Sequence, residues 1–469
     1  MSATSHPFNI GFNDDYILIK YSQNPSDSLV KIHSSGEVSS ADDSSFKKHS
    51  SMPCQGIFGL YVISIIKAEE VGKIYGHSIL KVISTKISLI GEHTSSDVEL
   101  AKHDQHLLEL LRTALLSKSY YFSYTMDITS SLQRQYSVDP NLPLYKKISP
   151  VIIPIINGYF ASKELEIKNQ PFTIRTRYFS RGVDEEGNVS NYAETEQIVE
   201  IGKFGNDVFK KYHGELLSYL QLRGSVPIKW AQVINGKYKP SLEINLNNSS
   251  NGFQKHMDKL TNDYQRSIMV NLVDKVKYEK PVGDAFAQLS RNLPEDGPVQ
   301  YYHFDFHKEC SKMRFDRVSL LIDKIRSLID SYQSFEVNPF ISDKPTKLQS
   351  GIIRTNCMDC LDRTNVVQSV VSSDWMIKEF RNMGILNADE TFKNYERVTS
   401  ALRIMWADNA DYVSMAYSGT GALKTDFTRT GKRTKMGLLS DGYNSLERYY
   451  RNNFSDGCRQ VSFSFIIYF

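Results

Sequence analysis

The 469-residue chain is 41% hydrophobic and 23% charged, and its 56 Lys and Arg against 53 Asp and Glu leave a net charge of only +3. This is globular usage with chain enough for two or three domains. It excludes wholesale disorder, a collagen-like or disulfide-built scaffold and a broadly basic nucleic-acid binder. Five scattered cysteines, Cys54, Cys310, Cys357, Cys360 and Cys458, point to a reducing compartment in which thiols pack or react. The N-terminus lacks a signal-peptide pattern, and no apolar run approaches the ~18 residues of a membrane span.

In chain order, Tyr16–Tyr21, Tyr61–Ile66 and Ile79–Leu89 are β-branched and partly alternating, which predicts strands. The serine-rich stretch Ser34–Ser51 is expected to be a surface loop, with Cys54 in a loop context as well. Leu107, Leu108, Leu111 and Leu115 fall on one face of a predicted helix over Glu99–Lys118. An apolar, proline-containing stretch around Ser149–Pro154 marks a boundary, dividing the chain into domains 1–155 and 156–469. Asn245–Gly252 and Asn338–Ser350 are polar breaks in the second part. Arg317–Gln333 is its clearest helix, with Val318, Leu321, Ile322, Ile325 and Ile329 at helical spacing.

The chemistry concentrates in Gly351–Val367, where Ile352 and Ile353 precede a polar loop and Val367, Val370 and Val371 follow at helical spacing. Strand, tight loop and helix together gather backbone N–H groups into an anion site at the helix N-terminus. Cys357 and Arg363 stand six apart, a C-x5-R spacing in which the arginine fork holds two phosphate oxygens and the sulfur lies beneath the phosphorus. The same N–H cluster is expected to lower the thiol pKa and make Cys357 a thiolate nucleophile, with Thr364 hydrogen-bonding the sulfur as it leaves. A cysteinyl-phosphate intermediate follows, with no metal and no cofactor required. Met358, Asp359, Cys360, Leu361 and Asp362 then line the phosphate alongside Arg363. Cys357-x-x-Cys360 lacks the second pair that tetrahedral zinc needs, so Cys360 is structural or a redox partner of Cys357. Asp359 and Asp362 repel a phosphate dianion. Either one serves as general acid, with Asp359 favoured, or both only cap the helix and bind the loop backbone.

Beyond the loop, Tyr120–Thr129, Arg175–Asp184, Asn191–Gln197, Arg223–Trp230, Trp406–Asp411 and Tyr417–Lys424 occur in order along the chain. Together with Cys357–Asn365 they closely resemble the motifs of the Sac-domain phosphoinositide phosphatases, over nearly the whole chain. The resemblance is closest to the endoplasmic reticulum and Golgi subgroup that acts on phosphatidylinositol 4-phosphate. It implies an α/β protein: a mixed, β-rich N-terminal domain packed on a C-x5-R phosphatase-like α/β catalytic domain. It also implies metal-independent hydrolysis of phosphatidylinositol 4-phosphate, with the 3- and 5-monophosphates as further substrates, at the cytoplasmic face of those membranes. A protein or soluble-phosphoester phosphatase with the same loop, and an inactive phosphoinositide-binding module, are the alternatives. Subgroup members continue into two membrane-spanning helices, whereas here a short apolar tail, Val461–Phe469, follows Gln460. A truncated or atypical C-terminal end, without a membrane anchor, is therefore expected.

Two further patterns bear on the site. His303, Asp305 and His307 alternate through Tyr301–His307 and are expected to share a strand face near the catalytic site, with Asp305 a second candidate acid. Lys424, Arg429, Lys432, Arg433 and Lys435 stand against Asp426 alone, giving +4 within twelve residues. This segment is expected to be a flexible loop facing a lipid headgroup and an anionic membrane surface; no stacking motif or basic helix supports nucleic acid.

Overall fold

The computed structural model describes residues 8–12, 16–21, 29–33, 38–40, 51–54, 56–58, 62–88, scattered positions in 105–115, 119–136, 153–163, 167–170, 181–202, 211–233, 239–342 and 344–454. The tail Val461–Phe469, Cys458 and the Arg175–Ser180 part of its motif lie outside them. The described residues form two compact units, one up to Ser130 with 137–157, the other Ser131–Tyr136 with Gly158 onward.

The first unit is built of two antiparallel sheets. Strands β1 (Phe8–Phe12), β2 (Tyr16–Tyr21), β3 (Leu29–His33), β4 (Val38–Ser40) and β5 (Ser51–Cys54) pair in the order β4-β3-β2-β1-β5. The serine-rich stretch is therefore not all loop, since Val38–Ser40 pairs with Val30–Ile32, and Cys54 ends a strand. Serine tolerates an edge strand where one face meets water, and composition alone conceals that. The second sheet runs β10-β9-β8-β7-β6, from β6 (Gly56–Phe58), β7 (Val62–Ile74), β8 (His77–Ser88), β9 (Tyr120–Phe122) and β10 (Ile155–Asn157). Ile65, Ala68, Leu80, Val82, Tyr120 and Phe122 bury one face of it. Of the predicted helix over Glu99–Lys118, the described positions are helical, with Leu111 buried.

The second unit is a three-layer α/β fold around one mixed sheet. Its strands are β11 (Ala161–Lys163), β12 (Ile167–Gln170), β13 (Ala193–Glu200), β14 (Leu216–Arg223), β17 (Ser267–Asn271), β18 (Val299–His303), β19 (Phe335–Val337) and β20 (Ile352–Asn356). The order is β11-β12-β13-β14-β20-β17-β18, with β19 beside β14; a separate hairpin joins β15 (Trp230–Val233) to β16 (Ser241–Ile244). From β14 to β18 all neighbours are parallel, with β20 between β14 and β17. Successive residues of these strands point to opposite faces. Leu217, Tyr219, Ile268, Val270 and Ile353 enter one core and Leu220, Leu222, Met269 and Ile352 the other.

Helices cover both faces, as parallel strands require. They are α1 (Leu132–Gln135), α2 (Ser249–Tyr264), α3 (Lys280–Ser290), α4 (Phe306–Glu309), α5 (Ser319–Tyr332), α6 (Asp362–Asn382), α7 (Glu396–Ser418), α8 (Thr425–Thr430) and α9 (Lys435–Phe454). Phe253 and Met257 of α2 with Val282 and Phe286 of α3 fill one core. Leu321, Ile322, Ile325 and Ile329 of α5 with Val367, Val371 and Trp375 of α6 fill the other. The predicted helix Arg317–Gln333 is thus α5, entered through a 3-10 turn at Phe315–Val318. The polar break Asn245–Gly252 instead runs into α2. A Cβ at Gly252 would stand 2.5 Å from the Asp184 carbonyl, so this glycine marks close helix-to-loop packing rather than a break. Among the described residues no helix is long and apolar enough to cross a membrane.

Candidate active site

Residues 357–361 link the carboxyl end of β20 to α6, at the edge of a parallel sheet where ligands bind in α/β folds. Cys360 adopts a left-handed backbone, φ 59°, unusual for a non-glycine residue, and its N–H turns back onto the Cys357 sulfur at 3.0 Å. Thr364, buried in the first turn of α6, donates its hydroxyl to the same sulfur at 3.5 Å. The Cys360 thiol donates to the Gly224 carbonyl at 3.0 Å, and Asn191 Nδ2 donates to the Asp359 carbonyl at 2.7 Å, fixing the loop from β13's side. Cys357 and Cys360 are fully buried, Met358 and Leu361 nearly so, while Asp359, Asp362 and Arg363 are half-buried.

Two arginines lie wholly buried behind the loop. Arg223 at the end of β14 reaches the Cys360 carbonyl at 3.4 Å and Gln368 Oε1 at 2.5 Å. Arg354 in β20 donates to Asn356 Oδ1 at 3.1 Å and to the Ser225 carbonyl. Burial lowers both pKa values to about 10, which leaves each guanidinium charged at neutral pH. Such buried cations are tolerated where a loop carries anionic charge.

Arg363 is paired with acids beside the loop. Its Nη1 and Nη2 each bond a Glu279 carboxylate oxygen at 2.8 Å, and Nη1 also approaches the Leu272 carbonyl at 3.3 Å and Asp274 Oδ1 at 3.6 Å. The end of the fork is thus held by Glu279. The side edge, Nε with the outer Nη2 hydrogen, has no acceptor among the described residues. A guanidinium held end-on still offers that edge to a second anion.

Opposing influences meet at the Cys357 thiol. Burial pushes the Cys357 thiol well up, Cys360 and the Asp359 charge add to it, and Arg363 opposes them. The thiol donates to Asp359 Oδ1 at 3.3 Å. For Asp359, burial works upward but is outweighed by Arg363, Arg448 and Arg181 and by the Leu361 N–H, so the carboxyl sits below its ordinary range. Asp362 goes the other way: burial raises it, Asp359 adds, and Arg448 opposes. Its oxygens accept from Leu423 N at 2.8 Å and Arg448 Nη1 at 3.2 Å, so it ties the loop to the segment after α7 and to α9.

Strand β18 ends at His303, four residues earlier than the alternation suggests, and Asp305 caps α4 by accepting from Lys308 N at 3.1 Å. Its other oxygen accepts from Lys275 N at 3.1 Å, so Asp305 organises backbone. Capping defeats the alternation here, because a carboxylate at an N-cap satisfies orphan N–H groups. His303 bonds the Val273 carbonyl at 2.7 Å, whereas His307 bonds Asp274 at 2.7 Å and is linked through it to Arg363.

The basic segment folds as helix, turn and helix rather than as a flexible loop. Arg429 is paired with Asp408 and Asp411, Arg433 with Asp426 and Asp441. These carboxylates, three of them outside the segment, supply the order that a +4 count conceals. Lys424, Lys432 and Lys435 are exposed, without an ion pair among the described residues. Glu279 and Arg448 lie in none of the motifs, whereas Asn191, Arg223 and Arg354 stand within them but had no role assigned. Arg354 carried a further signal, a charge between Ile353 and Thr355 in an otherwise strand-like run.

Residues 54–311 match the model of the SacI homology domain. The chain is 39% identical over 445 residues to phosphatidylinositol-3-phosphatase SAC1 of Saccharomyces cerevisiae, covering 87% of this chain and 70% of that protein. It is 35% identical over 447 residues to phosphatidylinositol-3-phosphatase SAC1-B of Danio rerio, covering 87% and 73%. To phosphoinositide phosphatase SAC7 of Arabidopsis thaliana it is 33% identical over 438 residues, covering 86% and 71%. With this extent of likeness, and an α/β fold presenting Cys357 between β20 and α6, the chain belongs to the SacI homology family and is a phosphoinositide phosphatase.

Proposed function

We propose that the chain hydrolyses phosphatidylinositol 4-phosphate, and secondarily the 3- and 5-monophosphates, through a phosphoryl group carried on Cys357. The observation that carries this is the sulfur itself, held at the helix N-terminus by Cys360 N–H and Thr364 Oγ1 and bonded to a carboxylate. The 4-position rests on the resemblance of the motif set to the endoplasmic reticulum and Golgi subgroup, and the cytoplasmic face of those membranes goes with it. The names of the yeast and zebrafish relatives give the 3-phosphate, which the secondary activity accommodates.

In the first step Cys357 sulfur attacks phosphorus and its proton passes to Asp359. Arrival of a phosphate dianion raises the Asp359 pKa, since like charge disfavours the carboxylate. Asp359 then delivers that proton to the departing inositol oxygen, so the lipid leaves as the neutral alcohol and the phosphoryl group stays on sulfur. In the second step water attacks the phosphorus as Asp359 accepts a water proton and the S–P bond breaks. Thr364 and Cys360 N–H stabilise the departing thiolate, which recovers the proton from Asp359 as inorganic phosphate leaves. Arg363 offers its side edge to the equatorial oxygens in both steps, positioned by Glu279. The Cys357–Asp359 pair supports this route without a metal.

Phosphate release from vesicles carrying each phosphoinositide in turn tests the reading. Phosphatidylinositol 4-phosphate is expected to be the best substrate, Cys357→Ser to abolish release, and a chelator to leave it unchanged. Equal turnover of phosphotyrosyl peptide would transfer the loop to a protein phosphatase instead.

A further inference from the structure

Helix α9 is mounted inside out. Its polar residues hold it to the body: Arg448 bonds Asp362, Thr420 Oγ1 at 2.9 Å, Ser414 Oγ at 2.7 Å and the Gly421 carbonyl at 2.9 Å. Asp441, on the same side, accepts from Lys424 N at 2.9 Å and from Arg433. The opposite side carries Met436, Leu439, Tyr443, Leu446 and Tyr450, spaced alternately by three and four residues, with Leu438 alongside. All six are between 62 and 76% exposed. Five apolar residues at that spacing make one continuous stripe along the helix, a larger patch than a folded body leaves to water.

Charge decides what covers it. Every carboxylate of α8 and α9 is already bonded to an arginine: Asp426 and Asp441 to Arg433, Glu447 to Arg451 at 2.6 Å. Lys424, Lys432 and Lys435, at the N-terminal end of the stripe, are exposed and have no ion pair among the described residues. The uncompensated charge beside the stripe is therefore positive. A second copy meeting this face would bring the same lysines and no unengaged acid. An anionic bilayer supplies what both parts need: acyl boundary for the Leu and Met side chains, headgroup level for the tyrosines, and phosphate or carboxylate for the lysines.

We propose that α9 is the element that seats this enzyme on an anionic phospholipid bilayer, its Met436–Tyr450 stripe in the interface and Lys424, Lys432 and Lys435 against the headgroups. The proposal deepens the lipid-phosphatase reading on which it rests, since the seated helix is the one whose Arg448 holds Asp362 of the catalytic loop. The test is flotation of the full chain with phosphoinositide-free vesicles of phosphatidylcholine, alone or mixed with phosphatidylserine, comparing wild type with Leu439→Ser/Leu446→Ser. Hydrolysis of soluble dioctanoyl phosphatidylinositol 4-phosphate and the Tm are followed in parallel. Wild type is expected to float with the anionic vesicles, the variant to lose at least about tenfold in partitioning, and soluble turnover and Tm to stay unchanged. Lys432→Glu/Lys435→Glu is expected to weaken flotation and its salt dependence.

Undiminished flotation of the apolar variant, or no flotation of wild type, overturns the proposal. A wild-type dimer that Leu439→Ser/Leu446→Ser dissolves also overturns it and assigns the stripe to a second copy. Absence of soluble turnover in wild type, with flotation behaving as stated, counts against the lipid-phosphatase reading and leaves the docking surface standing.

Discussion

Glu279→Gln tests whether the carboxylate behind Arg363 positions the fork or competes with substrate for it. Both Arg363–Glu279 bonds are 2.8 Å, and the two side chains are only 13% and 14% exposed, so the pair is poorly screened. Glutamine keeps one acceptor, loses the charge and turns an N–H₂ toward a cation. Losing one charge-assisted bond costs about 1.5–3 kcal/mol. Asp274 at 3.6 Å recovers a part of this. If the lost energy served to hold the side edge of the guanidinium for phosphate, kcat/KM falls roughly 10- to 100-fold, carried mainly by kcat, because each ~1.4 kcal/mol is tenfold. The assay is phosphate release from soluble dioctanoyl phosphatidylinositol 4-phosphate, with kcat and KM separated, and Glu279→Asp as the conservative variant expected to recover part of the loss. Unchanged or improved kcat/KM in Glu279→Gln would refute the reasoning and make Glu279 a competitor that substrate displaces.

Thr364→Val removes the hydroxyl 3.5 Å from the sulfur. Dephosphorylation is expected to slow about 10- to 100-fold, so stopped-flow product release shows a burst of lipid alcohol that wild type lacks; a linear time course with normal turnover counts against the role. Arg448→Met breaks four hydrogen bonds, including the one to Asp362, and leaves that carboxylate with only Leu423 N. Denaturant unfolding should show a loss of about 3 kcal/mol, with activity falling alongside; wild-type stability would dismiss the anchoring role. Glu196 is buried beneath α1, and burial, with Glu194 adding, lifts its pKa from 4.5 to about 7 against Ser218, Leu132 N and Arg134. An acid raised on folding contributes stability that is complete below the unfolded value and is lost as pH rises through the folded one. Glu196→Gln is therefore expected to stabilise the protein at pH 8 by an amount on the order of 3 kcal/mol and to flatten the dependence between about pH 4.5 and 7; parallel Tm–pH curves for the two proteins would contradict this.

The parts of the molecule that local physics dictates were legible in the residues. Tyr16–Tyr21 is β2 residue for residue, and α5 buries four of the five apolar residues that the periodicity selects, the fifth, Val318, being buried in the turn before it. The strand–loop–helix reading around Cys357 followed from an apolar pair, a polar interruption and a helical valine pattern, and β20 and α6 occupy those places. What remained hidden depends on distant partners. Glu279 meets Arg363 across 84 residues and Arg448 meets Asp362 across 86, and nothing in either local sequence announces the other. The burial of Cys357 and the neighbouring Asp359 charge, which work on the thiol against the helix geometry, were hidden for the same reason. Lys424–Lys435 looked mobile because its neutralising acids, Asp408, Asp411 and Asp441, lie in α7 and α9. A charge count along the chain registers none of them.

The central claim is that the phosphoryl group passes through Cys357. Acid quenching during turnover of dioctanoyl phosphatidylinositol 4-phosphate, followed by peptide mass spectrometry, observes that directly, with Thr364→Val included to accumulate the intermediate. The account predicts a phosphoryl adduct on Cys357, enriched in Thr364→Val and missing in Cys357→Ser, which also releases no phosphate. Continued phosphate release by Cys357→Ser, or an adduct on any other residue, would contradict it.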